Sequence, residues 1–302
     1  MNDELSGSRN GHGSEISDET LKRVRAELGL PDSITTDVEG LRTVYAAWCN
    51  AMTFDNIRKL ISLRTGDERL AGGEAENYFQ HWLANRSGGT CWPSSNALFG
   101  LIASYGFEAR RVAGAMFDLP VVNHGSVKVR IDGIDWLADS SMLTVEPLPL
   151  KGELLIKTEG PVRVEVEPRN GSYLIWTDFP PMPEFIPCGL RDDPVDLNFY
   201  LERYEASREM SPFNERLYLR KVTPDGLTVF LGNTMFQRVG EELEVRELSA
   251  DELLAAMHEI GGVSEAFISR WVDAGGLNAT MNFSGQGPEL PDPGPRPSRR
   301  SK

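Results

Sequence analysis

The sequence lacks long apolar runs. None of its 302 residues lies in a run approaching the roughly 18–20 consecutive apolar residues of a membrane-spanning helix, so we expect no membrane association. The first residues, MNDELSGSRNGHGSEISDE, are polar and acidic, and no apolar stretch follows them as a secretory signal would require. The chain has only three cysteines, an odd number, which form neither a disulfide framework nor a C-x-x-C metal motif. These features together predict a reducing, cytoplasmic location.

Basic residues are also scarce. The chain has 31 Lys and Arg residues against 45 Asp and Glu residues, a net charge of −14 and a pI near 4.8. Nucleic-acid binding needs clustered basic side chains to neutralise phosphates, so we expect no nucleic-acid partner. With 40% hydrophobic and 25% charged residues, the composition is typical of a globular protein, and the length corresponds to about two domains or one large one.

The spacing of apolar residues divides the chain into five regions. Residues 1–16 and 284–302 lack apolar periodicity, and the second is Pro-rich, so both are predicted to be disordered tails. Residues 17–112 show helical spacing and predict a group of helices. Residues 113–205 alternate with a period of two and predict an antiparallel sheet or barrel. Residues 211–275 mix strands with a helix, and the whole is α+β.

Four apolar stripes predict the helices of the N-terminal bundle. Thr36-Asp37 is expected to cap the second of these helices, and Ser249 with Glu252 predicts a capping box on a C-terminal helix. The four stripes are Leu21/Val24/Leu28, Leu41/Val44/Tyr45/Trp48/Met52, Tyr78/Phe79/Trp82/Leu83 and Leu98/Leu101/Ile102/Tyr105.

A predicted β-hairpin brings one histidine close to an aspartate. If Asp132-Gly133 is the two-residue turn, Ile131 pairs with Ile134 and Arg130 with Asp135. His124 and Asp139 then fall on the same face as diagonal neighbours, close enough for Asp139 to hold the imidazole in one tautomer. A polar hairpin face that carries a histidine by chance is the alternative.

The other three histidines are weaker candidates. His12 lies in the predicted N-terminal tail, His81 lies beside Trp82 at the margin of a helical stripe, and His258 lies in a C-terminal helix. For His81 and His258 we favour a structural role over a catalytic one.

Cys91 has the sequence context of a nucleophile. It follows Gly88-Gly89 and precedes Pro93, which is tolerated in the first turn of a helix, so Cys91 is predicted at a helix N-terminus. The partial positive charge there stabilises a thiolate, the reactive form of cysteine. Cys49 borders an apolar stripe and is expected in the core, and Cys188 is expected in the Pro-rich connector, without an evident activating partner. A complete catalytic set would then consist of Cys91 as the nucleophile, His124 as the base and Asp139 as the residue that orients the base.

At these residues the chain resembles the arylamine N-acetyltransferase family, over roughly residues 20–270. A PDG strand pair and the SADELLAAM helix near the C-terminus also match the family's third region. The other matching segments are FDNI (54–57), GGTC (88–91), Gly106-Phe107, NHGSVKV (123–129) and WLAD (136–139).

The resemblance implies both a fold and a site. The fold has an N-terminal helical bundle, a central antiparallel β-barrel and a C-terminal α/β lid, a cysteine-protease-like arrangement. The site is a Cys–His–Asp triad, which falls on Cys91, His124 and Asp139.

This chain departs from the family pattern around the nucleophile and after the triad aspartate. The usual Arg and Glu flanking the motif are Ser87 and Pro93, and we hypothesise that a salt bridge bracing the nucleophile loop has been lost as a unit. The usual Asn after the cysteine is Ser95, and the usual Gly-Phe-Gly is Ser140-Ser141-Met142. In the family that segment lies near the acceptor pocket, so a changed pocket is expected.

The resemblance implies an acyltransferase with a ping-pong mechanism. An acetyl group would pass from acetyl-CoA, a co-substrate, to Cys91 and then to an arylamine or related amine, with no bound cofactor and no metal. The expected partners are therefore an acyl-CoA donor and a small amine. One alternative is an amide synthase of secondary metabolism that uses a carrier-protein thioester. GTCW and GFEARRVAG also resemble a transglutaminase-type core, so a hydrolase or a non-catalytic binding module is the other.

Overall fold

A computed structural model describes residues 16–182, 184–223, 226–285 and 294–300, and the α+β class predicted from the sequence is confirmed. The described helices are α1 (Asp18–Glu27), α2 (Val38–Ala51), α3 (Ile57–Thr65), α4 (Ala75–Asn85), α5 (Cys91–Ala103), α6 (Leu197–Ala206), α7 (Ala250–Glu259), α8 (Glu265–Asp273), α9 (Gly276–Met281) and α10 (Pro297–Arg300). The described strands are β1 (Phe54–Asp55), β2 (Glu108–Met116), β3 (His124–Ile131), β4 (Ile134–Ala138), β5 (Leu148–Leu150), β6 (Leu155–Lys157), β7 (Arg163–Arg169), β8 (Ser172–Asp178), β9 (Ile186–Pro194), β10 (Tyr218–Thr223), β11 (Gly226–Leu231), β12 (Thr234–Val239) and β13 (Glu242–Glu247).

The N-terminal helices bury the stripes that the sequence predicts. The four stripes lie on α1, α2, α4 and α5, and α2 begins after Asp37, whose carboxylate accepts the Gly40 N–H at 2.8 Å. α5 is buried on nearly every side because α2, α4, α6, β2 and β3 all pack against it. α3 was not predicted, since its apolar residues Ile57, Leu60 and Ile61 pack against a second core that the C-terminal residues form.

The central sheet has eight strands, all paired antiparallel, in the order β5-β4-β3-β2-β9-β8-β7-β6. The two end strands are not hydrogen-bonded to each other, so the predicted barrel is an open half-barrel. The predicted hairpin register is confirmed: Ile131 pairs with Ile134, and Arg130 with Asp135. Asp132 and Gly133 both have positive φ angles, 48° and 78°, as a two-residue type I′ turn requires.

A second, five-stranded sheet forms the C-terminal lid and reaches back to the nucleophile region. Its order is β1-β10-β11-β12-β13, so its first strand comes from the N-terminal part of the chain. The predicted capping box of Ser249 and Glu252 is present at α7. The region 113–205 was expected to be β throughout, but it also contains α6, which begins where Asp196 accepts the Phe199 N–H at 2.8 Å.

The terminal segments differ from the predicted tails where the structure describes them. Ile16 is buried against the helical core. Residues 294–298 pack on the half-barrel, where the buried Glu165 carboxylate accepts hydrogen bonds from Arg296, at 2.7 Å, and from Ser298. A carboxylate buried on a sheet needs such donors, which explains why the tail docks there. The rest of the predicted disorder, residues 1–15, 286–293 and 301–302, lies outside the described residues.

Among the residues described, no helix has both the length and the apolar character needed to cross a membrane.

Candidate active site

Cys91 is the first residue of α5, as the sequence predicts. Thr90 is the N-cap residue, but its side chain makes no capping hydrogen bond, so the first N–H groups of the helix keep their partial positive charge. Cys91 is buried, with 8% of the residue exposed. Its Sγ lies 3.7 Å from the Asn123 carbonyl oxygen, directly before the strand that carries His124.

His124 and Asp139 form a buried hydrogen-bonded pair. The distance from His124 Nε2 to Asp139 Oδ2 is 2.7 Å, and both side chains are less than 5% exposed. The second carboxylate oxygen, Oδ1, accepts the backbone N–H groups of Ser141 at 2.9 Å and Met142 at 2.8 Å. The Tyr45 hydroxyl donates to the Asp139 carbonyl oxygen at 2.7 Å. Asp139 is therefore fixed from both its side chain and its backbone.

The buried pair changes the protonation of both partners. Burial alone would lower the pKa of His124, but the Asp139 carboxylate raises it, and the resulting pKa lies well above the ordinary 6.5. Burial opposes ionisation of Asp139, but His124 and the Met142 N–H lower the pKa of Asp139 below its ordinary value. The Cys91 side chain contributes to the raised pKa of His124 as well. Since Nε2 faces Asp139, Nδ1 is the ring nitrogen left for Cys91.

A buried aspartate braces the loop before Cys91. Asp55 accepts hydrogen bonds from Thr53 Oγ1 at 2.6 Å, Ser87 Oγ at 2.9 Å and the Gly88 N–H at 2.7 Å. Gly88 has no room for a side chain, because an added Cβ would lie 1.9 Å from the Thr53 carbonyl oxygen. We hypothesised from the sequence that Ser87 and Pro93 mark the loss of a salt bridge. In this structure Ser87 instead contacts Asp55, which sequence reasoning did not single out within FDNI.

Three serine hydroxyl groups connect the elements that carry the three candidate residues. Ser140 Oγ lies 2.8 Å from both Ser94 Oγ and Ser95 Oγ. Ser94 donates to the Thr90 carbonyl oxygen, next to Cys91, and Ser95 donates to the Gly125 carbonyl oxygen, next to His124, each at 2.7 Å. Ser140 itself follows Asp139. The sequence identified Ser95 and Ser140 as departures from the family pattern, but their contact could not be predicted because 45 residues separate them.

The remaining cysteines are buried. As predicted, Cys49 is a core thiol, and burial raises its pKa to about 12. Cys188 lies in β9 rather than in a connector, because β9 starts at Ile186. An added Cβ on Gly114 would lie 2.9 Å from Cys188 Sγ and 3.7 Å from His124 Cδ2, so this thiol flanks the candidate base. Burial raises the pKa of Cys188 to about 12, which keeps it a neutral thiol.

A buried lysine near Cys91 was also missed by sequence reasoning. Lys59 Nζ donates to Ser207 Oγ at 2.8 Å and to the Ser207 carbonyl oxygen at 3.1 Å. Burial lowers the pKa of Lys59 to about 8. No local pattern in α3 distinguishes this lysine from a surface residue.

The other described histidines have the structural roles expected from the sequence. His81 packs edge-on against Phe267 at 4.5 Å, and burial lowers its pKa to about 3. His258 Nδ1 lies 2.8 Å from the Val263 carbonyl oxygen at the end of α7. His12 lies outside the described residues. In the described part of the chain, no three His, Cys, Asp or Glu side chains are grouped as a metal site would require.

Comparison with known proteins identifies similar sequences. The family model described as N-acetyltransferase matches residues 37–181, a segment that contains Cys91, His124 and Asp139. An acetyltransferase of Bacillus subtilis, YvcN, is 26% identical over 169 residues. That match covers 51% of this chain and 65% of YvcN, slightly less than two thirds of that relative's length.

Solved structures share the whole fold. The arylamine N-acetyltransferase of Mycobacterium marinum superposes with a TM-score of 0.74 at 16% identity, covering 86% of this chain and 99% of that one. The Mycobacterium smegmatis enzyme gives a TM-score of 0.72 at 20% identity, covering 85% and 98%. At these identities the superpositions establish the arrangement of helical bundle, half-barrel and lid.

Proposed function

We propose that this chain is an acyltransferase that carries an acetyl group on Cys91, and the match of residues 37–181 to the N-acetyltransferase family model supports the proposal. The donor would be acetyl-CoA and the acceptor an arylamine or a related amine. The observation that carries the proposal is the buried 2.7 Å contact between His124 and Asp139, with Cys91 Sγ 3.7 Å from the carbonyl oxygen of the residue before His124. In the proposal Cys91 is the nucleophile, His124 the acid–base group and Asp139 the residue that orients the imidazole.

In the first half-reaction the Cys91 thiolate attacks the thioester carbonyl of the donor. A histidine with a raised pKa is protonated at neutral pH, so His124 and Cys91 would rest as an imidazolium–thiolate pair. The developing oxyanion would be bound by backbone N–H groups at the start of α5, which have no side-chain cap. The intermediate collapses with cleavage of the donor C–S bond, the CoA thiolate takes the proton from His124, and the acetyl group remains on Cys91.

In the second half-reaction the amine attacks the Cys91 thioester. His124, now neutral, accepts the proton that the amine nitrogen loses. The C–S bond to Cys91 breaks, the amide is released, and the imidazolium–thiolate pair is restored. Asp139 stays ionised throughout, since its pKa is lowered by His124.

The test is amine-dependent turnover. Purified protein would be mixed with acetyl-CoA, and the released CoA thiol followed with and without aniline or phenylhydrazine. The proposal predicts slow release without amine and fast release with it, together with parallel double-reciprocal plots as a ping-pong scheme requires. Equally fast release without amine would instead indicate a hydrolase. Activity with an acyl carrier-protein thioester but not with acetyl-CoA would mean that the donor is the carrier protein and not acetyl-CoA.

A further inference from the structure

Arg220 is a buried arginine on the lid strand nearest to the nucleophile loop. It lies in β10 directly opposite Phe54 of β1, and only 2% of its surface is exposed. Phe54 in turn forms a bridge with Gly89, two residues before Cys91. One residue of β1 therefore separates the arginine from the loop that positions the candidate nucleophile.

Aromatic side chains surround the guanidinium group. Its Cζ lies 4.0 Å from the ring centre of Phe179 and 5.2 Å from that of Phe54. Tyr218 packs against the same group, with its ring centre 5.6 Å from that of Phe54. The group is completed by Phe213, whose ring centre lies 5.2 Å from that of Phe54 and 5.1 Å from that of Tyr218.

No acidic residue neutralises Arg220 in the part of the chain that the structure describes. Its Nε and Nη1 atoms are buried without a hydrogen-bond partner, and it takes part in none of the described ion pairs. Arg163 and Arg238, near the same junction of lid and half-barrel, share the carboxylate of Asp178. The contrast matters because an unpaired buried charge is among the costliest features that a fold can hold.

Aromatic contacts offset only part of that cost. A cation over an aromatic ring gains on the order of 2 kcal/mol when both are desolvated. Rings cover the faces of a guanidinium, however, while its N–H bonds point outward in the plane. The edge bearing Nε and Nη1 is the fork that binds planar anions such as carboxylates and phosphates.

We infer that Arg220 binds an anionic group of a substrate, a carboxylate or phosphate, beside the nucleophile loop. The inference rests on the proposed function, since it assigns the group to the acyl donor or to the amine acceptor. Phe179 and Phe213 are only half-buried, and Phe179 covers the guanidinium directly. A rotation of the Phe179 side chain would open the face of the guanidinium group that this ring covers and admit the ligand toward the unpaired N–H edge.

The test compares binding of charged and uncharged probes to protein that cannot turn over. Titration calorimetry on the Cys91→Ala protein would measure the dissociation constants of two probe pairs, CoA with pantetheine and 4-aminobenzoate with aniline. The same titrations would be repeated on protein that also carries Arg220→Gln. The second member of each pair lacks the anionic groups. Arg220→Gln should weaken binding of the anionic member of one pair by about 10- to 100-fold, the range of a lost charged hydrogen bond, and spare the neutral member. A selective loss of CoA affinity assigns the anion to the donor, and a selective loss of 4-aminobenzoate affinity to the acceptor.

Two further variants control the experiment. Arg216→Gln removes the same charge from an arginine that also stacks on a phenylalanine, Phe283, but that is partly exposed, and it should change no binding constant. Arg220→Lys keeps the charge but lacks the planar set of N–H donors, so its affinity for the anionic probe should lie between those of wild type and Arg220→Gln. An equal effect of Arg220→Gln on both members of each pair, or no effect on either pair, overturns the inference. Failure of the proposed function looks different, since wild-type protein would then form no acetyl-enzyme whatever Arg220 does.

Discussion

At single residues, the candidate site depends on contacts that hold each group in one orientation. Asp139 shows this most clearly, because it is held by hydrogen bonds from Ser141, Met142 and Tyr45 in addition to its contact with His124. Sequence reasoning placed His124 beside Asp139 because the hairpin turn and its register are local features. It could not place Tyr45, which lies 94 residues from Asp139 along the chain.

The His124–Asp139 pair predicts a particular pH dependence for Asp139→Asn. The raised pKa of His124 adds stability that is complete below pH 6.5 and is lost as pH rises through the folded-state pKa. The lowered pKa of Asp139 adds stability that is present above pH 3.8 and is lost as pH falls through its folded-state pKa. Asp139→Asn should therefore lower the unfolding free energy most between pH 3.8 and pH 6.5, by about 3 kcal/mol, because it breaks a buried pair. At alkaline pH the loss should be smaller. Denaturant unfolding at several pH values checks this, and a constant difference would contradict it.

Ser140→Ala should separate positioning from stability. The hydroxyl groups of the serine cluster, Ser94, Ser95 and Ser140, make four oxygen–oxygen contacts of 2.7–2.8 Å but have only three protons to donate. Without Ser140, Ser94 and Ser95 would each still donate to a backbone carbonyl oxygen. The variant leaves no buried donor unpaired, so it should cost only about 1 kcal/mol of unfolding free energy. We expect kcat to fall about tenfold with KM unchanged, because the helix and the two strands lose their common contact.

Ser62→Ala is the matched control for that variant. It also removes a buried hydroxyl, which donates to Asp67 at 2.8 Å and accepts the Ala71 N–H at 3.4 Å, but which has no hydrogen bond with Ser94, Ser95 or Ser140. Its unfolding free energy should change by a similar amount while kcat stays at the wild-type value. Equal loss of kcat in both variants would mean that the cluster has no positioning role.

Among the elements, the sequence predicts those whose signals are local. Stripes, caps and the type I′ turn identified α2, α4, α5 and the β3–β4 hairpin. α3 was missed because its apolar face packs against the C-terminal core, and α6 because it interrupts a region of strands. β1 is only two residues long and exists through pairing with β10, which lies far along the chain.

The nucleophile loop predicts a strong effect of Asp55→Asn. The two carboxylate oxygens of Asp55 face the Ile57 N–H and the Gly88 N–H, respectively, so either orientation of an asparagine amide points its NH2 at a backbone donor. We expect a loss of about 2 kcal/mol in unfolding free energy and at least a tenfold loss of kcat/KM. Hydrogen exchange at Gly88 should also become faster. Ser87→Ala, which removes one donor and keeps the Gly88 contact, should have a much smaller effect, and equal effects would contradict this account.

In the whole molecule, Asp178 ties the half-barrel to the lid. It pairs with Arg163 of β7 at 2.5 Å and Arg238 of β12 at 3.1 Å, and it is 6% exposed. Asp178→Asn would leave the largely buried Arg238 without its carboxylate and Arg163 with only the exposed Glu241, which should cost about 3 kcal/mol of unfolding free energy. Asp118→Asn breaks a pair with Arg169 whose members are both nearly half exposed, so it should cost at most about 1 kcal/mol. Thermal and denaturant unfolding of both variants checks the order, and a reversed order would contradict the role of Asp178.

The central claim is that Cys91 carries the acetyl group, and intact-protein mass spectrometry tests it most directly. Wild-type protein and Cys91→Ala would each be mixed with acetyl-CoA in the absence of amine and measured within the first turnover. The account predicts one added acetyl group on the wild type, none on Cys91→Ala, and loss of the adduct when aniline is added. An unmodified wild-type protein, or the same adduct on Cys91→Ala, would contradict it.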